Sequence, residues 1–125
     1  MSKSLLIVDD EPSVLETTRF ILEAEGYEVL TARTGVDALK VLRIHHPHVV
    51  LLDVMMPMMD GYAVCREIRR DPALAGTHVI MLTAKGQRVD EECALEAGAN
   101  AYLKKPFEEE QVIAQIEAAY ATYGD

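Results

Sequence analysis

Five short segments of this 125-residue chain carry side chains suited to phosphorus or cation chemistry: Asp9-Asp10-Glu11, Thr31–Thr34, Asp53, Thr83-Ala84-Lys85 and Lys105-Pro106. Gathered at one place, Asp9, Asp10 and Asp53 would repel one another unless a proton or a cation stood between them. Hard oxygen donors with no histidine or thiol among them favour Mg²⁺, Mn²⁺ or Ca²⁺ over zinc. Mg²⁺ typically takes one or two carboxylates and keeps several waters, which leaves an open site. Such a site can receive a phosphoryl group, whose remaining oxygens a hydroxyl at Thr83 and an ammonium at Lys105 would hold. A carboxylate can then attack phosphorus. Asp53 suits that role better than the adjacent pair, because it follows an apolar run and stands alone, whereas Asp9-Asp10 is placed to clamp the cation. The resulting aspartyl phosphate would bring roughly two negative charges and three acceptor oxygens, drawing Thr83 toward it first.

The elements that must position these residues are legible as an alternation of β and α periods. Apolar runs at Ser4–Val8, Glu28–Ala32, His48–Leu52, His78–Leu82 and Ala101–Lys104 predict five strands. The first, third and fourth do not alternate, as strands covered on both faces should not, and the second and fifth look like edges. Pro12 predicts the first turn of a helix with Val14, Thr17, Thr18, Ile21 and Leu22 on one face, stopped at Gly26. A second begins near Gly35 with Ala38, Val41 and Leu42 inward and halts at Pro47. A third opens at Asp60-Gly61, carries Ala63, Val64 and Ile68 and ends at Asp71-Pro72. The fourth, from Val89 to Ala97, has a thin, small-chained apolar face of Val89, Cys93, Ala94 and Ala97, and the fifth carries Val112, Ile113, Ile116, Ala119 and Tyr120. The reading is an α/β chain with a doubly wound five-stranded parallel sheet and helices on both faces. In such sheets function gathers at the carboxyl ends of the strands, where all five segments fall.

Composition narrows the field. With 12 Lys+Arg against 21 Asp+Glu the net charge is −9, and half the residues are hydrophobic, which fits one soluble domain over residues 1–125. The acidity argues against direct nucleic-acid or anionic-membrane binding, since phosphate recognition draws on clustered Lys and Arg. No apolar stretch approaches the roughly 18 residues of a spanning helix, and Met-Ser-Lys-Ser is not followed by a signal-peptide core. A cytoplasmic setting is the expectation. Cys65 and Cys93, far apart among helical residues, read as two buried thiols rather than a disulfide or metal pair. His45, His46 and His48 flank Pro47 at the opposite end of the sheet and, with His78, read as a solvated loop and a strand start rather than a metal site. Met55, Met56, Met58 and Met59 read as a gap-filling loop.

Each site residue has a duller role when taken singly. Asp9-Asp10 and Thr83 could cap helices, Asp53 could be a turn residue and Lys105 a surface charge. The joint arrangement decides against these readings, because independent capping residues have no reason to collect at one edge with complementary charges. A phosphatase with an aspartate nucleophile would usually carry a second acid two residues on, where this chain has Met55. A flavodoxin-like cofactor binder would want a Gly- and hydroxyl-rich loop after the first strand, where Asp9-Asp10-Glu11-Pro12 would repel a phosphate.

Over essentially its whole length the chain resembles the receiver domains of bacterial two-component response regulators. The resemblance rests on Asp9-Asp10, on Leu52-Asp53-Val54-Met55-Met56-Pro57-Met58-Met59-Asp60-Gly61, on Thr83-Ala84 and on Lys104-Lys105-Pro106-Phe107. It implies a flavodoxin-like sheet of order 2-1-3-4-5. It also implies Mg²⁺ contacted by Asp10, Asp53 and the backbone carbonyl of Met55, with Asp9 acting through water, and a cis peptide after Lys105. Asp53 would be the phosphoacceptor, charged by a sensor histidine kinase or a histidine phosphotransfer protein, with self-catalysed phosphorylation and dephosphorylation and no turnover of other substrates. Thr83 and Tyr102 would be switch residues, and the fourth helix, fifth strand and fifth helix would form the surface that meets a protein target. Where many DNA-binding members carry an acidic pair before the tyrosine and an arginine on the last helix, this chain has Asn100-Ala101-Tyr102 and no Lys or Arg from Glu108 to Asp125. That departure points to a free-standing, chemotaxis-regulator-like receiver acting as a monomer or weak dimer.

Overall fold

Leu5–Val8, Val49–Leu52 and Val79–Leu82 are uninterrupted apolar runs and are wholly buried, as central strands covered on both faces must be. The computed structural model describes residues 3–83 and 88–121, and for 88–90 the backbone alone. In chain order the elements are β1 (Ser4–Val8), α1 (Pro12–Ala24), β2 (Glu28–Ala32), α2 (Gly35–His45), β3 (Val49–Asp53), α3 (Gly61–Arg70), β4 (His78–Thr83), α4 (Arg88–Ala97), β5 (Ala101–Lys104) and α5 (Glu109–Ala121). The strands are parallel in the order β2-β1-β3-β4-β5, the doubly wound sheet that the β/α alternation predicts, in the flavodoxin-like order that the resemblance implies.

The two-residue period of the strands sorts their side chains into two cores. Leu6, Val8, Val50, Leu52, Val79 and Met81 face α2, α3 and α4, where they meet Ala38, Leu42, Val64, Ile68, Ala94 and Ala97. Leu5, Ile7, Val49, Leu51, Ile80 and Leu82 face α1 and α5, meeting Leu15, Leu22, Val112, Ile116 and Tyr120. Register then brings the chemistry to one edge. Val8 pairs with Ala32 and with Leu52, Asp53 with Leu82 and Thr83 with Lys104, so Asp9, Asp53, Thr83 and Lys105 all lie at the carboxyl end of the sheet.

The structure adjusts several boundaries and faces. β3 starts at Val49 rather than His48 and runs through Asp53, and β4 extends to Thr83, so both site residues are held by ladder bonds instead of following the strands. The buried stripe of α1 is Leu15, Thr18 and Leu22, whereas Val14 and Ile21 are half-buried and Thr17 is exposed. Thr18 and Leu22 of the expected face are thus buried, with Leu15 completing the stripe at i, i+3 and i+7, while Val14, Thr17 and Ile21 line a groove with Phe107. On α2, Leu39 is buried beside Ala38 and Leu42. Thr34 caps this helix by accepting from the Asp37 N–H at 3.1 Å, and Asp60 caps α3 by accepting from the Ala63 N–H at 2.9 Å. Cys65 is buried as expected, but Cys93 is only half-buried. Of the α4 side chains described, Ala94 and Ala97 are the buried ones, in keeping with a thin apolar face; the Val89 side chain, Ala84, Lys85 and residues 122–125 lie outside the described residues.

Arg69, near the end of α3, ties this layer together. Its guanidinium donates to the carbonyls of Gly98 (2.8 Å), Ala75 (3.0 Å) and Thr77 (2.7 Å) and to Asn100 Oδ1 (2.7 Å). Asn100 Oδ1 also accepts from the Val79 N–H at 2.8 Å. Gly98 turns the chain out of α4 at φ 102°, and a Cβ there would lie 2.8 Å from the Arg69 side chain. Bonds from a charged donor to main-chain carbonyls exceed neutral ones in strength. Arg69→Met is expected to cost about 2–3 kcal/mol in urea denaturation, whereas Arg66→Met, on the exposed side of the same helix, should stay within about 0.5 kcal/mol.

Candidate functional site

Asp9 and Asp53 are 0% and 3% exposed, and Thr83 is 2% exposed. Two carboxylates and a hydroxyl are thus withdrawn from water at the carboxyl ends of neighbouring strands. Burial of this kind requires partners. Lys105 supplies them: its Nζ lies 2.6 Å from Asp9 Oδ2 and 3.3 Å from Asp53 Oδ1. It is placed by the step from β5, where the Lys105 N–H donates to the Thr83 carbonyl at 2.7 Å, and the Lys105–Pro106 peptide is cis. Asp9 also accepts from the Glu11 N–H at 3.0 Å, and its own N–H donates to the Ala32 carbonyl at 3.1 Å.

Asp10 is less buried and completes the acidic group. One oxygen each from Asp9, Asp10 and Asp53 lie within 4.8 Å of one another, and this is the one such set of three among the described His, Cys, Asp and Glu residues. One ammonium against three carboxylates leaves a deficit of positive charge. The Asp53 carboxyl records it: burial first, and then the Asp9 charge, push its pKa up to about 6, against the opposing pull of Lys105 and the Met55 N–H. Burial alone would lower the Lys105 ammonium, but its hydrogen bond to Asp9 and the charges of Asp53 and Asp9 hold it above the ordinary lysine value. Thr83 Oγ1 is buried with no hydrogen-bond partner among the described residues. An orphaned hydroxyl is costly and points to a group that is to be bound.

The third strand's exit is shaped by Gly61. Its N–H donates to the Val54 carbonyl at 3.0 Å, and a Cβ there would stand 2.4 Å from the Asp53 carbonyl oxygen. Any other residue would push on the backbone that carries Asp53. Beyond it, Asp10, Val54, Met55, Met56, Pro57, Asp60 and Tyr62 line an open cleft of about 490 Å³. Met55 and Met58 are exposed and Met56 is buried, so the methionine loop serves partly as core and partly as rim.

The structure therefore brings Asp9, Asp10, Asp53, Thr83 and Lys105 together, with Met55 on the rim. It does not bring in Thr31–Thr34 as a set: Thr31 is exposed and Thr34 caps α2. Tyr102, half-buried on β5, faces α4, where a hydrogen bond to the Glu91 carboxylate raises its hydroxyl pKa. His45, His46 and His48 are exposed, with His48 edge-on to Tyr120. The sequence reading missed Arg33, whose Nη2 lies 3.4 Å from the Asp10 carbonyl oxygen. A cation immediately after β2, the strand paired with the one that carries the acidic pair, was the available signal.

Residues 5–117 match the response regulator receiver domain family, and the chain belongs to that family. Its fold and acidic strand ends are those of a two-component signalling receiver. It is similar to the alkaline phosphatase synthesis transcriptional regulatory protein PhoP of Bacillus subtilis, 40% identical over 118 residues, which are 94% of this chain and 48% of that protein. The chain spans about half the length of the curated relatives it matches. Among solved structures it is similar to the chemotaxis protein CheY4 of Vibrio cholerae, at 28% identity and a TM-score of 0.91 over 95% of this chain and 99% of that one. It is also similar to the receiver domain of the sensor histidine kinase PA1611 of Pseudomonas aeruginosa, at 30% identity and a TM-score of 0.87 over 94% and 97% of the two chains. That receiver carries a magnesium ion coordinated in its active site cleft. Among the described residues no helix is long and apolar enough to cross a membrane.

Proposed function

We propose that residues 1–125 act as one receiver domain that accepts a phosphoryl group on Asp53 from a phosphohistidine of a sensor kinase or phosphotransfer protein. The observation that carries this reading is the buried Asp53 carboxylate set between the Lys105 ammonium and two further carboxylates, beside an unpartnered Thr83 hydroxyl. The all-oxygen donor set and its surplus negative charge fit a hard divalent cation, Mg²⁺ or in its place Mn²⁺. Asp9, Asp10, Asp53 and the Met55 carbonyl would hold it, Asp9 through water. When bound, the cation neutralises charge on the phosphoryl oxygens and lets the carboxylate approach them.

An Asp53 carboxylate oxygen attacks phosphorus, an O–P bond forms, the N–P bond to the donor imidazole breaks, and the imidazole leaves with the electron pair. Lys105, already 3.3 Å from Asp53 Oδ1, holds one phosphoryl oxygen. Thr83 donates its free hydroxyl to another, which satisfies the orphaned group. That movement opens space into which Tyr102 can turn, giving up its bond to Glu91. The face made by α4, β5 and α5 changes with it and is the surface offered to a protein target, by a chain acting as a monomer or weak dimer. Water later cleaves the O–P bond, and no other substrate is turned over.

The test is intact mass after incubation with Mg²⁺ and a small acyl phosphate. One phosphoryl adduct, absent without divalent cation and absent in Asp53→Asn, supports the reading; an adduct that persists in Asp53→Asn overturns it. The lifetime of the adduct should depend on the side chains two residues beyond the acceptor and the hydroxyl. Exchanging Met55 for a polar residue, or Lys85 for a neutral one, is expected to change the hydrolysis rate severalfold in a phosphate-release assay. Unchanged rates in both variants would remove that role.

A further inference from the structure

We propose that Arg33 is a charge-tuning residue of the acidic site, a fixed cation at its mouth that holds divalent-cation affinity below what three carboxylates would otherwise give. This rests on the reading of Asp9, Asp10 and Asp53 as the cation site. The position follows from the sheet. The Asp9 N–H donates to the Ala32 carbonyl, so the residue that leaves β2 next stands beside the acidic pair. Arg33 Nη2 reaches to 3.4 Å from the Asp10 carbonyl oxygen, and the Asp10 carboxylate is one of the three converging groups.

Lys105 is already engaged by Asp9 and Asp53, whereas no ion pair with Arg33 occurs among the described residues. Its charge is therefore exposed, engaged by no single carboxylate, and held against the main-chain carbonyl of the residue that carries the outermost one. A main-chain bond at 3.4 Å and solvent exposure would contribute little to stability. The field is another matter. A unit charge roughly 8 Å from a doubly charged ion in water shifts its affinity about fourfold at about 0.01 M ionic strength, and below about 1.5-fold at about 0.5 M, where the screening length is shorter than the separation.

The experiment is calorimetric titration with Mg²⁺ of the wild-type chain and of R33K, R33Q and R33E, at low and high ionic strength, with urea denaturation in chelator to show that each variant folds. R33Q is expected to bind Mg²⁺ about fourfold tighter and R33E about fifteenfold tighter at low salt, with R33K close to wild type and the differences collapsing at high salt. Equal affinities for all four proteins at low salt would overturn the inference. So would shifts shared by R33K and R33Q and indifferent to salt, which would make Arg33 a prop for the turn through the Asp10 carbonyl. A wild-type chain that takes up no Mg²⁺ would overturn the reading of the site, and this inference with it; that result is distinct from the first because there the wild type binds.

Discussion

Asp53→Asn is expected to be more stable than the wild-type chain at pH 7 without divalent cations, by about 2 kcal/mol, while losing all phosphoryl acceptance. The reason is that burial and the Asp9 charge raise the Asp53 pKa to about 6, against an unfolded value near 3.9. The folded state therefore holds a proton that the unfolded chain has already given up between those two pH values. Stability falls as pH rises through that window and levels off above about pH 6. Asparagine carries no charge to bury, so its advantage should be full at pH 7 and gone near pH 4. Urea denaturation from pH 4 to pH 8 reads this directly. A pH-independent difference would mean that the stabilisation comes from packing, and a less stable variant would mean that the Lys105 contact outweighs the burial of charge.

Lys105→Met should have the largest effect in the other direction. It leaves Asp9, 0% exposed, and Asp53, 3% exposed, facing one another without the ammonium that lies 2.6 Å and 3.3 Å from them. Stranding a buried charge by removing its partner costs about 3–5 kcal/mol. Because 20% of the Lys105 side chain meets solvent, the expected loss at pH 7 in chelator is about 3 kcal/mol. Two rescues distinguish charge from packing. Adding Asp9→Asn to Lys105→Met should recover most of the loss, and so should saturating Mg²⁺, which binds the folded state alone. Lys105→Met with wild-type stability in chelator, or a double variant no better than the single, would contradict this account of the site.

Much of this site was legible from residue order. Asp9, Asp10, Asp53, Thr83 and Lys105 each follow or close an apolar run, and parallel β/α alternation sends all such ends to one edge. Register, visible once Val8 is paired with Leu52 and Asp53 with Leu82, only tightened that expectation. The third and fourth strands proved longer at that end because the ladder continues through Asp53 and Thr83, with the Asp53 carboxylate partnered by Lys105 and the Thr83 carbonyl by the Lys105 N–H, and propensity alone does not see such partners. The phase of α1 was harder. Val14, Thr17 and Ile21 make an apolar row beside the true stripe of Leu15, Thr18 and Leu22, and a period of 3.6 does not choose between neighbouring rows.

What stayed hidden depends on residues distant in the chain. Arg69 sits in Arg66-Glu67-Ile68-Arg69-Arg70, where it reads as one surface charge among several, and only the approach of Gly98, Thr77 and Asn100 makes it a hub. Gly61 reads as a helix start, and its true constraint is the Asp53 carbonyl that leaves no room for a Cβ. Tyr102 was placed by resemblance; the partner it holds, Glu91, lies on a different element and carried no signal of its own.

The claim on which the account turns is that Asp53, and not one of the two acids beside it, takes the phosphoryl group. The direct measurement is to charge the wild-type chain with Mg²⁺ and an acyl phosphate, trap the aspartyl phosphate by borohydride reduction, and locate the reduced residue by peptide mass spectrometry. Reduction is expected at Asp53 alone, with Asp9 and Asp10 intact on their own peptide. Reduction at Asp9 or Asp10, with Asp53 untouched, would contradict it.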